Sequence, residues 1–173
     1  TATAPNQQWN NAAADVRQQV KNGKQAVMDA SLTEANTFQM NWDQAIALDI
    51  TDQVKESKLQ LSDRMEALRS GLPPQLFGLD VVVGSASENT AKKGQTVSLA
   101  RVWGDSALVC HVNPNPGRKS RTLSVTFDYR GRVVREIDEP LKGNAVRIEV
   151  EDSGLDEKMI DAGCGYLIQD VLA

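Results

Sequence analysis

Cysteine, histidine and aromatic residues are all scarce in this chain of 173 residues. The two cysteines, Cys110 and Cys164, belong to no CxxC motif, which excludes a disulfide framework and a structural zinc site and favours two buried free thiols in a reducing compartment. The single histidine, His111, lies in an apolar segment directly after Cys110. Adjacent strand residues point to opposite faces, so this pair cannot form a Cys–His catalytic site, and His111 is interpreted as structural.

Long hydrophobic runs and a surplus of positive charge are absent as well. The longest apolar runs span a few residues, such as Val81 to Val83, whereas a membrane helix needs about 20. Nor does the N-terminal segment show the basic-then-apolar order of a secretory signal. Lysine and arginine total 19 against 23 aspartate and glutamate residues, a net charge of −4, which argues against an electrostatic nucleic-acid binder.

Sequence motifs for catalysis and cofactor binding are also missing. The chain has no P-loop and no dinucleotide-binding fingerprint, and Gly84-Ser85-Ala86 is only half of a nucleophile elbow. An acidic run from Glu149 to Glu157 lacks calcium-loop spacing and is interpreted as a solvated face. We therefore predict that the protein is not an enzyme and that it has no catalytic residue, metal site or cofactor.

The clearest predicted element is a helix over residues 12–30, with Asn10 or Asn11 as its cap. Its small apolar residues recur on one face of a helix: Val16, Val20, Gly23, Val27 and Ala30. A glycine inside a helix costs about 1 kcal/mol relative to alanine. Gly23 therefore predicts that another element approaches the helix closely there.

Helices and strands alternate in the next part of the chain. We predict a strand at 37–40, a helix at 42–48, and a helix that starts at Ser57, has Gln60 in its capping box and ends at Gly71. A β-branched run predicts a buried strand at 79–83, and another strand is predicted at 107–112. Between these strands, residues 84–95 are polar and aperiodic, which predicts an exposed loop.

Predicted strands dominate the remainder of the chain. Residues 122–129 alternate apolar and polar side chains, and a turn at Arg130-Gly131 predicts a hairpin with 132–137. Further strands are predicted at 145–151 and 166–168. Helices followed by strands indicate an α+β fold with a mixed or antiparallel sheet.

The chain has one small basic cluster, formed by Arg118, Lys119 and Arg121. Three charges could contact phosphate or an acidic neighbour. An exposed turn or an electrostatic contact between subunits is the favoured interpretation.

Several segments resemble, in order, the major capsid proteins of tailed bacteriophages. The stretch 79–95 (LDVVVGSASENTAKKGQ) resembles a strand that leads into a polar loop of that family, and 102–105 (VWGD) with the strand after it resembles the next segment. Residues 126–129 and 134–136 resemble its paired strands. Residues 161–168 (DAGCGYLI) resemble its closing DAGYLI strand, with Cys164-Gly165 in place of a shorter junction. The helix at 12–30 and the strand at 37–40 resemble the family's long spine helix and the strand that follows it.

This resemblance implies the Hong Kong 97-type capsid fold, within the α+β class. The family has a peripheral domain with the spine helix, an axial domain at the capsomer centre, an N-terminal arm and an extended loop. The chain is expected to be the C-terminal portion of a longer capsid protein, lacking the arm and the extended loop. The expected domains are the lead and spine helix of the peripheral domain (1–40), the axial domain (41–121) and a β-rich return to the peripheral domain (122–173).

The implied function is that of a structural subunit of a phage or prophage capsid. Such subunits self-assemble into pentamers and hexamers of an icosahedral head that encloses DNA. The implied partners are copies of the chain itself and portal, scaffold or protease proteins during assembly, with no membrane and no sequence-specific nucleic acid. The implied location is the virion capsid, assembled in the bacterial cytoplasm.

The resemblance also assigns roles to three groups of residues. It directs the polar loop towards the capsomer axis, which makes these residues candidates for a subunit interface: Ser85, Ser87, Glu88, Asn89, Lys92 and Lys93. An ordinary surface loop is the alternative for them. The spine helix is expected to pack through Val16, Val20, Gly23 and Val27. An electrostatic contact is expected at Arg118, Lys119 and Arg121.

Three other functions stay open at this point. An encapsulin-like nanocompartment shell protein would share the fold and differ in its cargo. A binding module of a phage tail or baseplate is the second alternative. A small hydrolase is the third.

Overall fold

The computed structural model describes residues 2–3, 8–60, 72–117, 119–128, 131–139, 145–151 and 155–172. The chain divides into two compact units: unit 1 is Thr1–Leu123 with Asp161–Ala173, and unit 2 is Ser124–Ile160. These units do not coincide with the ranges 1–40, 41–121 and 122–173, which concern capsid domains and stay a prediction.

The described part of unit 1 has three α-helices, α1 (Val16–Ser31), α2 (Trp42–Ile50) and α3 (Asp52–Gln60), and a short 3₁₀-helix at Ala162–Cys164. Helix α1 begins later than predicted because Asp15, rather than Asn10 or Asn11, is its cap: the Asp15 carboxylate accepts a hydrogen bond from the Gln18 backbone N–H at 3.1 Å. Helix α3 begins at Asp52, so the predicted start at Ser57 is wrong. The predicted end at Gly71 lies outside the described residues.

Twelve strands are described across the two units. Unit 1 contains β1 (Ala2–Thr3), β2 (Thr37–Asn41), β3 (Gln75–Leu76), β4 (Leu79–Gly84), β5 (Ser87–Asn89), β6 (Leu99–Arg101), β7 (Ala107–Cys110) and β12 (Gly165–Ile168). Unit 2 contains β8 (Ser124–Asp128), β9 (Val133–Glu139), β10 (Ala145–Glu151) and β11 (Leu155–Met159).

A six-stranded sheet in the order β1-β12-β7-β2-β4-β3 forms the centre of unit 1. The pairs β1–β12 and β2–β4 are parallel, and the other neighbours are antiparallel. This mixed sheet with its helices confirms the predicted α+β class. Phe38 and Met40 of β2 are fully buried in the core, as the alternation of a strand requires.

Strand β4 is less buried than its β-branched sequence predicts. Leu79 is buried, whereas Asp80 and Val82 are exposed and Val81 and Val83 are intermediate. Exposure that alternates in this way means that the sheet is well covered on only one face at β4. The prediction of a fully buried strand at 79–83 is therefore wrong.

Helix α1 lies against β7 and β12, and Gly23 lies at a close point of this contact. A Cβ atom at position 23 would lie 3.0 Å from Tyr166 Cδ1 and 3.3 Å from Val109 Cβ. The close approach that the sequence predicts at Gly23 is thus present. Val16, Val20 and Val27 are buried with it, whereas Ala30 is exposed and Ser31 takes the buried position.

Trp9 anchors the segment before α1 in the core. It is fully buried and meets Phe38 edge to face, with ring centroids 5.9 Å apart. Its indole N–H donates to Gln19 Oε1 at 2.8 Å, and its backbone N–H donates to the Val171 carbonyl at 2.8 Å. This one residue therefore joins α1, β2 and the end of the described chain.

The C-terminus of α1 provides a test of backbone strain. Leu32 caps the helix in the left-handed conformation at φ 54°, donates its N–H to the Met28 carbonyl, and is 77% exposed. Glycine adopts this conformation without the Cβ clash, so we expect Leu32→Gly to raise the free energy of unfolding by about 0.5 to 1 kcal/mol. Chemical denaturation measures this difference. Leu32→Ala keeps the Cβ and should give no gain; an equal gain from alanine would contradict the strain explanation.

Unit 2 consists of two nested antiparallel pairs. Strand β8 pairs with β11, and the pair of β9 with β10 lies between these two strands in the sequence. The predicted hairpin between 122–129 and 132–137 is therefore wrong. The seven residues of β9 match the seven of β10 in a register that places Arg135 opposite Glu149, a favourable cross-strand charge pair.

One face of the β9–β10 pair carries ion pairs, and the other mixes aliphatic and acidic side chains. Arg135 lies 3.7 Å from Glu151, and Arg147 lies 3.0 Å from Glu149. The opposite face exposes four β-branched residues: Val134, Val146, Ile148 and Val150.

Candidate subunit-interface site

The polar segment after β4 forms a β-hairpin. Strands β5 and β6 are antiparallel, with Ser87 opposite Arg101 and Asn89 opposite Leu99. The prediction of exposure holds along residues 84–95 apart from Gly84 and Ala91, which are intermediate. The prediction of an unpaired loop is wrong. The error arises because β6 lies beyond the polar stretch, at 99–101, where the sequence pattern shows no strand of its own.

Local hydrogen bonds fix the tip of this hairpin. Asn89 Oδ1 accepts from the backbone N–H groups of Ala91 and Ser98 at 3.1 and 3.2 Å. The Gln95 N–H donates to the Lys92 carbonyl at 3.0 Å, and Gly94 has φ 88°, which are features of a tight turn with glycine at its third position. The turn presents Lys92 and Lys93 to solvent at the end of the hairpin.

An ion pair attaches the base of the hairpin to α2. Arg101 Nε donates to Asp43 Oδ2 at 3.1 Å, and its Nη2 donates to Oδ1 at 3.2 Å, a bidentate arrangement. The hydrogen bond with Asp43 raises the pKa of Arg101 further above its already high ordinary value. Asp43 lies in the first turn of α2, where negative charge also interacts favourably with the helix dipole.

The capping box of α2 holds the segment that follows the hairpin. Asn41 Oδ1 accepts from the Gln44 N–H at 2.7 Å, and Gln44 Oε1 accepts from the Asn41 N–H at 2.9 Å. The remaining amide groups of both side chains donate to the Gly104 carbonyl at 3.1 and 3.2 Å. Both residues are buried, so the hairpin leaves the body of unit 1 at a rigid point.

The six residues predicted for the interface all lie on this hairpin or directly before it, and all are exposed: Ser85, Ser87, Glu88, Asn89, Lys92 and Lys93. Their roles in the structure differ. Asn89 builds the tip, whereas Lys92 and Lys93 lie in the turn. The residues predicted for packing of the spine helix lie elsewhere, on the buried face of α1: Val16, Val20, Gly23 and Val27.

Sequence reasoning missed a set of exposed apolar side chains in the same region. On α2 they form what we call the α2 stripe, which is Trp42, Ile46 and Ile50, exposed by 46, 51 and 52%. On and beside the hairpin they are Val97, Leu99 and Val102, exposed by 65, 71 and 61%. The Arg101–Asp43 pair connects the elements that carry the two groups.

The sequence does contain a signal for the α2 stripe. Trp42, Ile46 and Ile50 recur every four residues, which places them along one side of a helix. The residues that α2 buries are Gln44, Ala45, Ala47 and Leu48. An isolated surface helix needs one apolar face, so a second one indicates a surface for contact.

The basic cluster is divided between different roles. The Arg121 guanidinium donates to the Ser31 carbonyl at the C-terminal end of α1, a favourable position for positive charge. Lys119 is exposed, and Arg118 lies outside the described residues. The structure therefore gives Arg121 a contact within its own chain.

His111 contacts the backbone, and the two cysteine thiols are buried. His111 Nδ1 lies 2.7 Å from the Glu34 carbonyl oxygen, where it donates in the Nδ1–H tautomer. Cys110 and Cys164 are buried free cysteines. Burial, and secondarily the nearby Cys164, raise the pKa of the Cys110 thiol to about 11.

The Cys110 thiol gives a prediction at alkaline pH. Because its pKa is 9.0 ordinarily and about 11 in the folded chain, stability should be intact below pH 9.0 and fall as pH rises towards 11. Urea denaturation at about pH 8 and about pH 10.5 measures this fall. Cys110→Ala should lose less stability over the same interval, and an identical loss in both proteins would contradict the assignment.

The described residues show neither a metal-binding cluster nor a membrane-spanning helix. They contain no group of three or more His, Cys, Asp or Glu side chains able to hold a metal ion. Among the same residues, no helix has the length and apolarity required to cross a membrane.

Comparison with known proteins shows a likeness in fold and none in sequence family. No protein-family model matches the chain. No curated protein sequence matches it either. The chain is similar in fold to a phage-related protein. That protein, from Bordetella bronchiseptica RB50, superimposes with a TM-score of 0.72 at 18% sequence identity, over 99% of this chain and 56% of that chain. The chain thus spans little more than half the length of this structural neighbour, and the likeness is one of fold.

Proposed function

We propose that this chain is a structural subunit of a phage or prophage capsid, with the Hong Kong 97-type fold. It assembles with copies of itself into the pentamers and hexamers of an icosahedral head that encloses DNA. The observation that carries the proposal is the fold similarity to a phage-related protein along 99% of the chain. The sequence motifs at 79–95, 102–105 and 161–168, which resemble major capsid proteins, supply the choice of capsid among phage functions.

The architecture of unit 1 supports this proposal. A capsid spine helix lies across a layer of strands, and α1 lies against β7 and β12 through its buried face. An axial loop must project from the body, and the β5–β6 hairpin does so with its lysines exposed at the tip. Assembly from many weak polar contacts allows wrong contacts to dissociate, which suits this mixed polar and apolar hairpin.

The remaining parts of the proposal follow from this role. The subunit acts by binding copies of itself rather than by catalysis, and it needs no cofactor. Portal, scaffold or protease proteins are its partners during assembly. It is assembled in the bacterial cytoplasm and resides in the virion capsid.

Electron microscopy of the protein expressed from its whole reading frame tests the proposal. Shells or capsomer rings with five- or six-fold symmetry are expected. Tubes or trimers would overturn the capsid role in favour of a tail or baseplate module. Turnover of ester or phosphate substrates would overturn the non-enzymatic role in favour of a hydrolase.

A further inference from the structure

We propose that the β5–β6 hairpin of one copy binds the α2–α3 surface of a second copy, with the α2 stripe at the centre of the contact. This inference rests on the proposed function, because it identifies the surfaces through which neighbouring subunits of a capsomer would meet. It adds a receptor surface, α2–α3, that the sequence resemblance does not assign.

The apolar parts of the two surfaces match in spacing. Residues of the α2 stripe follow one another at about 6 Å along the helix axis. Val97 and Leu99 lie two residues apart, a distance of about 7 Å along an extended chain. Each of the five side chains is about half exposed or more. Burying them against one another would remove from water a group of apolar side chains that the described residues leave uncovered.

The charges of the two surfaces are complementary. Residues 42–56 contain four acidic residues and one basic residue. Residues 87–101 contain three basic residues and one acidic residue. Asp43 and Arg101 bind each other within one copy. Lys92 and Lys93 remain at the exposed tip, and Asp52 and Glu56 are exposed on α3. Asp52 lies 3.8 Å from Lys55, but an exposed ion pair of this kind contributes little, so opposite charges can meet between copies.

The attachment of the hairpin indicates that its partner is a second copy. Its base is fixed to the start of α2 by Arg101–Asp43, and the segment after it is held by Asn41 and Gln44. The turn at the tip lies beyond the two three-residue strands, at the far end of the hairpin from this anchor. Within one copy the hairpin and the α2 stripe are both exposed, so the hairpin does not cover the helix that anchors it. A contact between two different surfaces of the same chain is heterologous and can repeat around an axis.

Charge exchange tests the contact on the 173-residue chain. Variant A carries Lys92→Glu and Lys93→Glu, and variant B carries Asp52→Lys and Glu56→Lys. Sedimentation velocity up to about 1 mM protein should show weak association of the natural chain and at least about tenfold weaker association of A and of B alone. An equimolar mixture of A and B should regain association, because each tip then meets a helix surface of opposite charge.

The charge experiment has clear contrary outcomes. A natural chain that stays monomeric over this range would overturn the proposal. Unchanged association of A and B would also overturn it, as would a mixture that behaves like A or B alone.

A matched pair of exposed apolar residues tests the α2 stripe. Ile46 and Met28 are both 51% exposed on helices, but only Ile46 belongs to the stripe. Ile46→Glu should abolish association, and Met28→Glu should leave it at the natural level. Equal loss in both variants would contradict the assignment of the stripe. Circular dichroism melting establishes that both variants fold.

The same variants separate this inference from the capsid proposal. If the natural protein forms shells and the variants Ile46→Glu and A form them equally well, the contact is wrong and the capsid role stands. If the natural protein forms neither shells nor rings, the capsid role itself fails.

Discussion

Trp9→Ala is expected to lower the free energy of unfolding by about 3 to 5 kcal/mol, the largest effect of any single substitution considered. Trp9 is fully buried, so its removal leaves a cavity beside Phe38. It also leaves the Gln19 side chain without the indole donor that now lies 2.8 Å away. Urea denaturation followed by circular dichroism measures the loss.

Trp42→Ala is the matched control for this substitution. Trp42 is 46% exposed, so truncating it should cost the isolated chain less than about 1 kcal/mol. Similar losses of unfolding free energy from the two substitutions would show that burial does not determine how much Trp9 contributes to stability.

Gly23→Ala is expected to destabilise the chain by up to about 2 kcal/mol, although alanine is the better helix former. The helix itself would gain about 1 kcal/mol. Against this, the new methyl group would lie 3.0 Å from Tyr166 Cδ1 and 3.3 Å from Val109 Cβ. A Cβ atom is fixed to its backbone, and β7 lies between β12 and β2 in the sheet, so Val109 cannot move away easily. Overpacking of this kind typically costs about 1 to 3 kcal/mol.

Gly104→Ala separates this clash from a general effect of replacing glycine. A Cβ atom at position 104 would meet nothing within 4 Å. Its stability should therefore stay within about 0.5 kcal/mol of the natural chain or rise slightly. Thermal melts of both variants measure the difference, and a stabilising Gly23→Ala would show that the sheet yields to the helix.

The parts of the fold that follow from local pattern could be predicted. The buried face of α1 repeats every three or four residues, and a glycine in that face signals close packing, so Val16, Val20, Gly23 and Val27 were identifiable from sequence alone. The strand at β2 likewise shows its alternation directly.

Features that depend on distant partners could not be predicted in the same way. The partner of β8 is β11, although β9 is nearer in sequence, and only the pairing energies across the whole unit select it. The β-branched run identifies β4 as a strand, but it does not determine how far β4 is buried, because burial depends on which elements cover each face of the sheet. Likewise, the hydrogen bonds that anchor the hairpin join Asn41 and Gln44 to Gly104, about sixty residues away in the chain.

The place of β12 in the sheet has a consequence for synthesis of the chain. This last strand lies between β1 and β7, and the Trp9 backbone N–H binds the carbonyl of Val171. Until residues 165–171 have been synthesised, β7 lacks one neighbour and the packing around the buried tryptophan is incomplete. The described strands of unit 2 pair only with one another, so unit 2 can form before unit 1, whose sheet needs segments from both sides of unit 2.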